Sequence, residues 1–406
     1  MKNIIVGQSG GPTAVINSSV AGVYKKAKEL GINKVYGMVY GIEGFLKENI
    51  VDLDEYLDNE ENYELLKRTP AAFLGSCRFK LPQIEGNEEV YEKIFTILEK
   101  YEIDALFYIG GNDSMDTIKM LSDYAKTNNK PQKFMGIPKT IDNDLPITDH
   151  CPGYGSAAKY IATSIKEIIR DNSSFDKTRQ TICIVEIMGR HAGWLTAAAA
   201  LAKGNDSEGV DAIYLPEVDF DLNEFITRVK KLIEKKASIV IAVSEGLKTS
   251  DGKFVCELDS GDRKVDAFGH KQLSGCATTL ANIIAKETGL KTRAIEFSTL
   301  QRAATHIASL TDINEAELVG MKAVDEANKG NTGMMVIIER KDGYNITTDI
   351  YDIHNIANVE KKVPLEWIDL DNMMMKEEFL NYAKPLINGE LIPIFKNGLP
   401  THLVRK

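Results

Sequence analysis

The loop from Pro138 to Asp144 carries the residue types that phosphoryl transfer needs. It places a cation, Lys139, a hydroxyl, Thr140, and two carboxylates, Asp142 and Asp144, within six residues after a predicted strand. A hydroxyl group that attacks phosphorus needs a carboxylate to accept its proton, and the phosphoryl group in transit needs a nearby cation and magnesium. A polar turn held by Asp and Asn side chains is the alternative, and the lysine argues against it.

A glycine-containing loop follows the first predicted strand. Residues 7–12 read Gly-Gln-Ser-Gly-Gly-Pro, and Gly10 and Gly11 would let backbone N–H groups approach a phosphate. The loop lacks the GK[ST] ending of a P-loop, so a tight turn without a ligand is an equally good interpretation.

A second glycine loop, residues 110–114, reads Gly-Gly-Asn-Asp-Ser at another strand-to-helix junction. Gly111 permits close approach of a phosphate, and Asp113 can bind magnesium through oxygen. Because Asn112, Asp113 and Ser114 are also good helix N-caps, this loop taken alone slightly favours a capping role.

Four short stretches in the second half of the chain could recognise a sugar phosphate. They are Met188-Gly189-Arg190, Glu245, Arg293 and Arg302, each at or near the end of a predicted strand. Guanidinium groups can bind the phosphate, and a carboxylate can bind a sugar hydroxyl. Each of these residues considered singly favours a surface ion pair over a role in binding.

The elements that must position these loops alternate between short apolar strands and amphipathic helices. In the first half we predict strands at 3–6, 104–109 and 133–137, and helices from about 13, over 88–101 and from 114 onward. In the second half we predict helices at 157–170, 220–234 and 271–287, and strands at 181–187, 212–215, 238–244 and 293–297. This alternation predicts an α/β protein with two doubly wound, Rossmann-like units and mainly parallel sheets. Ligands bind beyond the carboxyl ends of such strands, so the active site should lie in a cleft between the units.

The chain after about residue 332 is harder to interpret. One strand is predicted at 333–340, and the remainder holds Met373-Met374-Met375 and several prolines. We expect this region to pack on the two main units, and a contact between subunits is one position that it could occupy.

The composition narrows the class of protein. The 406 residues are 43% hydrophobic and 27% charged with a formal net charge of -10, so broad attraction to nucleic acid or anionic lipid is not expected. Five scattered cysteines without a CxxC pair argue against a zinc site or a disulfide framework and favour a reducing cytoplasm. No signal peptide is recognised after Met1, and charges interrupt the most apolar stretch, 181–202, so we expect neither secretion nor a membrane span.

The loops described above resemble, in their order along roughly residues 1–309, those of the phosphofructokinase family. The matching motifs are GQSGGP, FLGSCRF, GGNDS, PKTIDND, VEIMGR, SEG and TRAIEFSTLQR. Two positions resemble the pyrophosphate-dependent branch, because ATP-dependent relatives have glycine where Asp113 and Lys139 stand. In that branch the aspartate fills the space of an ATP α-phosphate and repels it, and the lysine stabilises the phosphoryl group in transit. The resemblance therefore implies transfer of phosphate from pyrophosphate to fructose 6-phosphate.

The resemblance also implies roles on the donor side. Pyrophosphate would be bound by Gly10, Gly11, Arg78 and Gly111. A magnesium ion, Mg²⁺, would be held by Asn112, Asp113 and Asp144. Many relatives have an aspartate where Asn112 stands, so this departure implies that coordination passes to Asp113 or runs through water.

On the acceptor side, Asp142 would deprotonate the sugar 1-hydroxyl, with Lys139 and Asp113 completing the catalytic set. The sugar site would be lined by Thr140, Ile141, Met188, Gly189, Arg190 and Glu245. The 6-phosphate would be bound by Arg302 and by Arg293. Arg293 of a neighbouring subunit is one candidate for the second contact. Two departures from many bacterial ATP enzymes, Thr181 for an arginine and Thr299 for the histidine of a GHIQR motif, imply a phosphate clamp that differs in detail.

The resemblance divides the chain into a phosphoryl-donor domain, residues 1–150 with about 303–380, and a fructose 6-phosphate domain, residues 151–302 with the C-terminal tail. It implies a homodimer or homotetramer.

An ATP-dependent or mixed-donor kinase is the nearest alternative function, since only Asp113 and Lys139 separate it from a pyrophosphate-dependent enzyme. Lipid and NAD kinases share a GGDG-type loop but lack the other motifs. A non-enzymatic sugar-phosphate-binding protein would be marked by loss of the base, yet Asp142 is present.

Overall fold

The structure, a computed structural model, describes residues 1–174, 178–258, 275–356 and 359–405. Within those ranges, the strands of the two main sheets are β1 (Asn3–Gln8), β2 (Lys34–Met38), β3 (Ile50–Asp52), β4 (Ile103–Gly110), β5 (Lys133–Pro138), β6 (Thr181–Ile187), β7 (Ala212–Tyr214), β8 (Ser238–Ser244), β9 (Lys291–Glu296), β10 (Met334–Lys341) and β11 (Asn345–Asp352). The α-helices are α1 (Ile16–Glu29), α2 (Gly41–Phe45), α3 (Glu60–Lys67), α4 (Glu88–Lys100), α5 (Asn112–Thr127), α6 (Tyr154–Asn172), α7 (Trp194–Ala197), α8 (Leu222–Ile233), α9 (Cys276–Thr288), α10 (Leu300–Ala303), α11 (Leu310–Asn328) and α12 (Glu377–Ala383).

The first main sheet has seven strands in the order β11-β10-β5-β4-β1-β2-β3. Its inner pairs are parallel, whereas the edge strands β3 and β11 run antiparallel to their neighbours. Strands β1, β4 and β5 are almost wholly buried, as expected for parallel strands covered by helices on both faces. We call this sheet and the helices packed on it the first unit.

The second main sheet has four strands in the order β7-β8-β6-β9, and every pair is parallel. Its strand β6 is buried along its whole length and packs against apolar side chains of α6 and α7 on one face and of α9 on the other. We call this sheet and its helices the second unit. The predicted α/β class, with mainly parallel sheets, is therefore confirmed.

Helices α1 and α11 pack so closely that the contact requires glycine. A Cβ atom on Gly22 would lie 2.0 Å from the Glu317 carbonyl oxygen, and one on Gly320 would lie 2.2 Å from that of Ser19. Both distances are far below van der Waals contact, so a larger residue at either position would force the helices apart. This contact holds the chain that follows the second unit against the helix that follows the first glycine loop.

Most predicted elements lie within a few residues of those observed, and β6 and β8 have the predicted bounds. The helix after the first glycine loop begins later than predicted, at Ile16, because Thr13 Oγ1 instead accepts the N–H of Val15 in a local turn. The predicted start of a helix at Lys271 lies outside the described residues, and the described part of that helix is α9.

The C-terminal region contains a strand that was not predicted, β11, which pairs with β10 along its length. Farther on, Phe379 and Leu386 are buried in the core of the second unit, and Leu403 packs against the first unit. The prediction that this region packs on both units is confirmed, and its place at a subunit contact stays a prediction. Among the helices of the described residues, none combines the length and the apolar character needed to cross a membrane.

Candidate active site

The loops singled out in the sequence meet around one polar cavity of about 680 Å³. Strands β4 and β5 end side by side, with Gly110 paired to Pro138, so the second glycine loop and the Lys139 loop are neighbours. The first glycine loop follows β1, the other neighbour of β4. The loops after β6, β8 and β9 close the cavity from the second unit. The lining residues are Ser9, Gly10, Gly11, Pro12, Cys77, Arg78, Phe79, Gly111, Asn112, Asp113, Ser114, Lys139, Thr140, Ile141, Asp142, Asp144, Met188, Arg190, His191, Glu245, Arg302 and Glu360.

Every site residue predicted from the sequence lines this cavity except Gly189, Arg293 and Thr299. Within a single chain, Arg293 lies beside a separate cavity of about 300 Å³, with its guanidinium 3.4 Å from the Asp171 carboxylate. Thr299 directly precedes α10 and does not line the main cavity. Arg302 is thus the arginine of the TRAIEFSTLQR stretch that faces the main cavity.

Lys139 is a buried cation, only 3% exposed, at the junction of two loops. Its Nζ donates to the Gly11 carbonyl oxygen at 2.8 Å, and its backbone N–H donates to the Gly110 carbonyl oxygen at 3.1 Å. Burial lowers the pKa of Lys139 to about 8, against the opposing effect of the Asp142 and Asp144 carboxylates. The ammonium group is therefore held between the first glycine loop and the two carboxylates.

Asp142 and Asp144 form a carboxylate pair on the loop after β5. The backbone N–H of Asp142 donates to Thr140 Oγ1 at 3.1 Å, which shapes the loop locally. Burial and then the charge of Asp144 raise the pKa of Asp142 to about 7, and nearby cations, Lys139 first among them, oppose that rise. Burial also raises the pKa of Asp144. Asp142 can thus exchange a proton near neutral pH, as a general base must.

Glu245 faces this pair from the end of β8. Burial, followed by the charge of Asp142, raises the pKa of Glu245 to about 7. One of its carboxylate oxygens accepts the backbone N–H of Gly189 at 3.4 Å. Gly189 has φ +134°, and a Cβ atom there would lie 2.6 Å from the Ala192 carbonyl oxygen, so the close turn behind Glu245 requires glycine.

Arg78, Arg190 and Arg302 bring positive charge to the cavity from three different segments of the chain. Burial, followed by repulsion from Arg78, lowers the pKa of Arg302. Arg302 also reaches across the cleft, because a Cβ atom on Gly11 would lie only 3.2 Å from its guanidinium nitrogen. Guanidinium groups that repel one another in a partly closed cleft provide a binding site for multiply charged phosphates.

Seven lining residues had been given no role in the site: Ser9, Pro12, Cys77, Phe79, Ser114, His191 and Glu360. All but Glu360 lie within or directly beside a recognised motif, so adjacency could have found them. Glu360 follows β11, far along the chain, where no motif marks it. Its charge is near enough to contribute to the raised pKa of Asp144.

The family model described as phosphofructokinase matches residues 3–327. The chain belongs to the phosphofructokinase family. Among curated relatives, it is 41% identical to the pyrophosphate–fructose 6-phosphate 1-phosphotransferase of Halomonas elongata, over 98% of this chain and 94% of the relative. It is 40% identical to the enzyme of that name from Methylococcus capsulatus, over 99% and 95% of the two chains. Among solved structures, the pyrophosphate-dependent phosphofructokinase of Nitrosospira multiformis superposes with a TM-score of 0.88 at 36% identity, covering 99% of this chain and 95% of the other.

Membership of the phosphofructokinase family confirms the resemblance that the ordered motifs carry. The predicted site residues all fall within the matched stretch, whereas Glu360 lies beyond it.

The magnesium ion expected from the phosphofructokinase family finds oxygen donors here. Asn112 Oδ1 is buried without a hydrogen-bond partner, and the Asp113 and Asp144 carboxylates line the same cavity. The described part of the chain contains no group of three or more His, Cys, Asp or Glu side chains that could hold an ion unaided. Mg²⁺ often binds through one or two carboxylates together with substrate phosphates and water, so these residues fit an ion that arrives with the phosphoryl donor.

Proposed function

We propose that this chain catalyses the reversible transfer of a phosphoryl group from pyrophosphate to the 1-hydroxyl of fructose 6-phosphate, giving fructose 1,6-bisphosphate and phosphate. The observation that carries this proposal is the joint placement of Asp113 and Lys139 in the cavity that holds Asp142. The relatives from Halomonas elongata and Methylococcus capsulatus, which match nearly the whole chain, are named for this activity.

Asp142 is the general base of the proposed reaction. It accepts the proton of the 1-hydroxyl as that oxygen attacks phosphorus, and its pKa of about 7 matches the task. The buried Lys139 ammonium neutralises charge on the phosphoryl group in transit, and the low polarity of its surroundings strengthens that interaction.

The acceptor site lies on the second unit. Its sugar-binding residues are Thr140, Ile141, Met188, Gly189, Arg190 and Glu245. Arg302 binds the 6-phosphate, and Thr299 belongs to the same end of the site. Because Arg293 does not line the main cavity of its own chain, we assign it to the site of a neighbouring subunit in a homodimer or homotetramer.

The donor site lies on the first unit. Pyrophosphate is bound by Gly10, Gly11, Arg78 and Gly111. The Asp113 carboxylate occupies the volume that a nucleotide α-phosphate would need. Mg²⁺, when bound through Asn112, Asp113 and Asp144, neutralises the charge of the phosphates. Residues 1–150 with about 303–380 thus form the donor side, and residues 151–302 with the C-terminal tail form the acceptor side.

The cysteines support a reducing compartment for this enzyme. Cys77, Cys151, Cys183, Cys256 and Cys276 are all buried, and none of the five forms a disulfide bond. Persisting buried thiols without disulfides are typical of a reducing environment, so we assign the protein to the cytoplasm.

A donor assay on the purified chain tests the proposal. Fructose 6-phosphate and Mg²⁺ are supplied with either pyrophosphate or ATP. We expect fructose 1,6-bisphosphate to form with pyrophosphate but not with ATP. Fructose 1,6-bisphosphate and phosphate should in turn yield pyrophosphate, because a pyrophosphate anhydride and a sugar ester differ less in hydrolysis energy than ATP and that ester do. Equal use of ATP would indicate a mixed-donor kinase, and binding without turnover would indicate a sugar-phosphate-binding protein.

A further inference from the structure

Residues 359–363, here called the cross-segment, follow β11 and lie beyond the stretch that the family model matches. On the first unit, the Val359 carbonyl oxygen accepts a hydrogen bond from Asn112 Nδ2 at 3.2 Å. The backbone N–H of Lys361 donates to the Asp144 carbonyl oxygen at 2.7 Å. The cross-segment therefore contacts both the start of α5 and the loop that carries Asp142.

The cross-segment is also bonded to the second unit. Trp194 Nε1 donates to the Lys361 carbonyl oxygen at 3.0 Å. The backbone N–H of Val363 donates to Glu217 Oε1 at 3.0 Å, and the same oxygen accepts the N–H of Gly193 at 2.8 Å. Gly193 closely follows Arg190, so these bonds reach the loop on the acceptor side of the cavity.

The Lys361 side chain adds a second set of contacts with the loop after β5. Its Nζ donates to the carbonyl oxygens of Thr148 at 3.1 Å and Asp149 at 2.7 Å. The same atom lies 5.3 Å from the centre of the Trp194 ring, within range of a cation–π interaction. Burial lowers the pKa of Lys361 despite the opposing charge of Asp149.

A partly buried ammonium group is a costly way to fill space, because its charge loses part of its contact with water. A methionine of similar length would fill the volume without that cost. Only a cation with several N–H donors can bind two carbonyl groups of one loop while lying over an aromatic ring of the other unit. This combination favours a role in holding the loop in place over a role in packing.

We propose that Lys361 is a positioning residue for phosphoryl transfer, fixing the loop that carries Asp142 relative to the second unit and its bound acceptor. The inference rests on the proposed function. Arg78 and Arg302 bind the substrate phosphates from other segments of the chain, so loss of Lys361 should disturb the alignment of base and hydroxyl more than substrate binding. A displacement of about 1 Å can lower turnover by roughly 100-fold.

The kinetic test compares Lys361→Met with Lys362→Met in the full chain. Lys362 is the adjacent, exposed lysine and serves as the matched control. For Lys361→Met we expect kcat to fall by about 10- to 100-fold, with KM for both substrates within about twofold of wild type. A purely structural role would lower the midpoint of thermal unfolding and leave kcat per folded molecule unchanged. Lys362→Met should match wild type.

A spectroscopic test reports the contact without turnover. The chain has two tryptophans, so a Trp367→Phe background leaves Trp194 as the sole indole emitter. Adding Lys361→Met to this background removes the ammonium over the Trp194 ring and should shift its emission. Adding Lys362→Met to the same background should leave the Trp194 emission unchanged.

Several outcomes would support or overturn the positioning role of Lys361. Wild-type kcat for a folded Lys361→Met variant, or a fall in kcat matched by rises in both KM values, would overturn the proposal. If that variant does not fold, Trp194→Phe decides in its place, because it removes the indole hydrogen bond to the cross-segment and leaves a smaller ring beneath the Lys361 ammonium. Lower kcat with unchanged KM supports the proposal, and wild-type kcat overturns it. Absence of pyrophosphate-dependent turnover in the wild type would instead defeat the proposed function, and the emission shift would still test the contact.

Discussion

The pH dependence of the reaction follows from two perturbed groups in the cavity. Asp142, with a pKa of about 7, must be deprotonated to act as the base, so activity rises as the pH increases through 7. Lys139, with a pKa of about 8, must be protonated to neutralise the phosphoryl group, so activity falls as the pH increases through 8. The two groups together predict a narrow, bell-shaped profile of kcat/KM with its maximum near pH 7.5.

The steepness of the two limbs follows from the loss of one proton in each. Well below the pKa of Asp142 and well above that of Lys139, kcat/KM should fall by about tenfold per pH unit. Because Asp142 and Asp144 interact, the acid limb reports the pair and not one carboxyl group alone.

The decisive perturbation is Lys139→Met, with kcat/KM for fructose 6-phosphate measured from pH 5.5 to 9.5 at constant ionic strength. Turnover should fall, and the basic limb should disappear. The acid limb should move above pH 7, since the Lys139 ammonium lowers the pKa of Asp142 and its loss raises that pKa. Lys133→Met, at the opposite end of β5, is the matched control and should keep the bell.

A wild-type profile that is flat between pH 6 and pH 9 would refute this reasoning. Retention of the basic limb near pH 8 in Lys139→Met would also refute it, because that limb would then belong to another group.

The remaining predictions concern single substitutions in the same cavity. Asp142→Asn should keep the circular dichroism spectrum of the wild type but lose about 10²–10⁴-fold in kcat, and near wild-type turnover would remove Asp142 from the mechanism. Arg302→Ala should raise KM for fructose 6-phosphate about tenfold or more and change KM for pyrophosphate little, since a charged hydrogen bond to phosphate contributes about 1.5–3 kcal/mol; an unchanged sugar KM would contradict its assignment. Asp113→Gly should sharply reduce pyrophosphate use and allow weak use of ATP, and adding Lys139→Gly should reduce pyrophosphate use further, as measured by parallel titration of both donors. If the wild type already uses ATP as well as pyrophosphate, the steric and electrostatic role given to Asp113 is wrong.

Much of the fold could be predicted because its central strands are buried on both faces. β8 is an uninterrupted, largely β-branched run in the sequence, and β6 is a similar run that contains a single charge, Glu186; such runs mark parallel strands covered by helices. The position of the loops followed from the rule that parallel strands present their carboxyl ends at one edge of a sheet. β11 could not be predicted in this way, because this edge strand is only partly buried and alternates short polar and apolar residues.

The residue types and their order within each loop were determined by the sequence alone, including the cation, hydroxyl and carboxylates after β5 and the carboxylate of Asp113. Tertiary structure decided their chemistry. Lys139 and Asp142 acquire pKa values near neutrality because the surrounding loops remove them from water and, for Asp142, because the Asp144 carboxylate lies nearby. Tertiary structure also brought Glu360 to the cavity and kept Arg293 out of it within one chain. Spacing along the chain is a local property, whereas desolvation and the meeting of distant segments depend on how the two units pack.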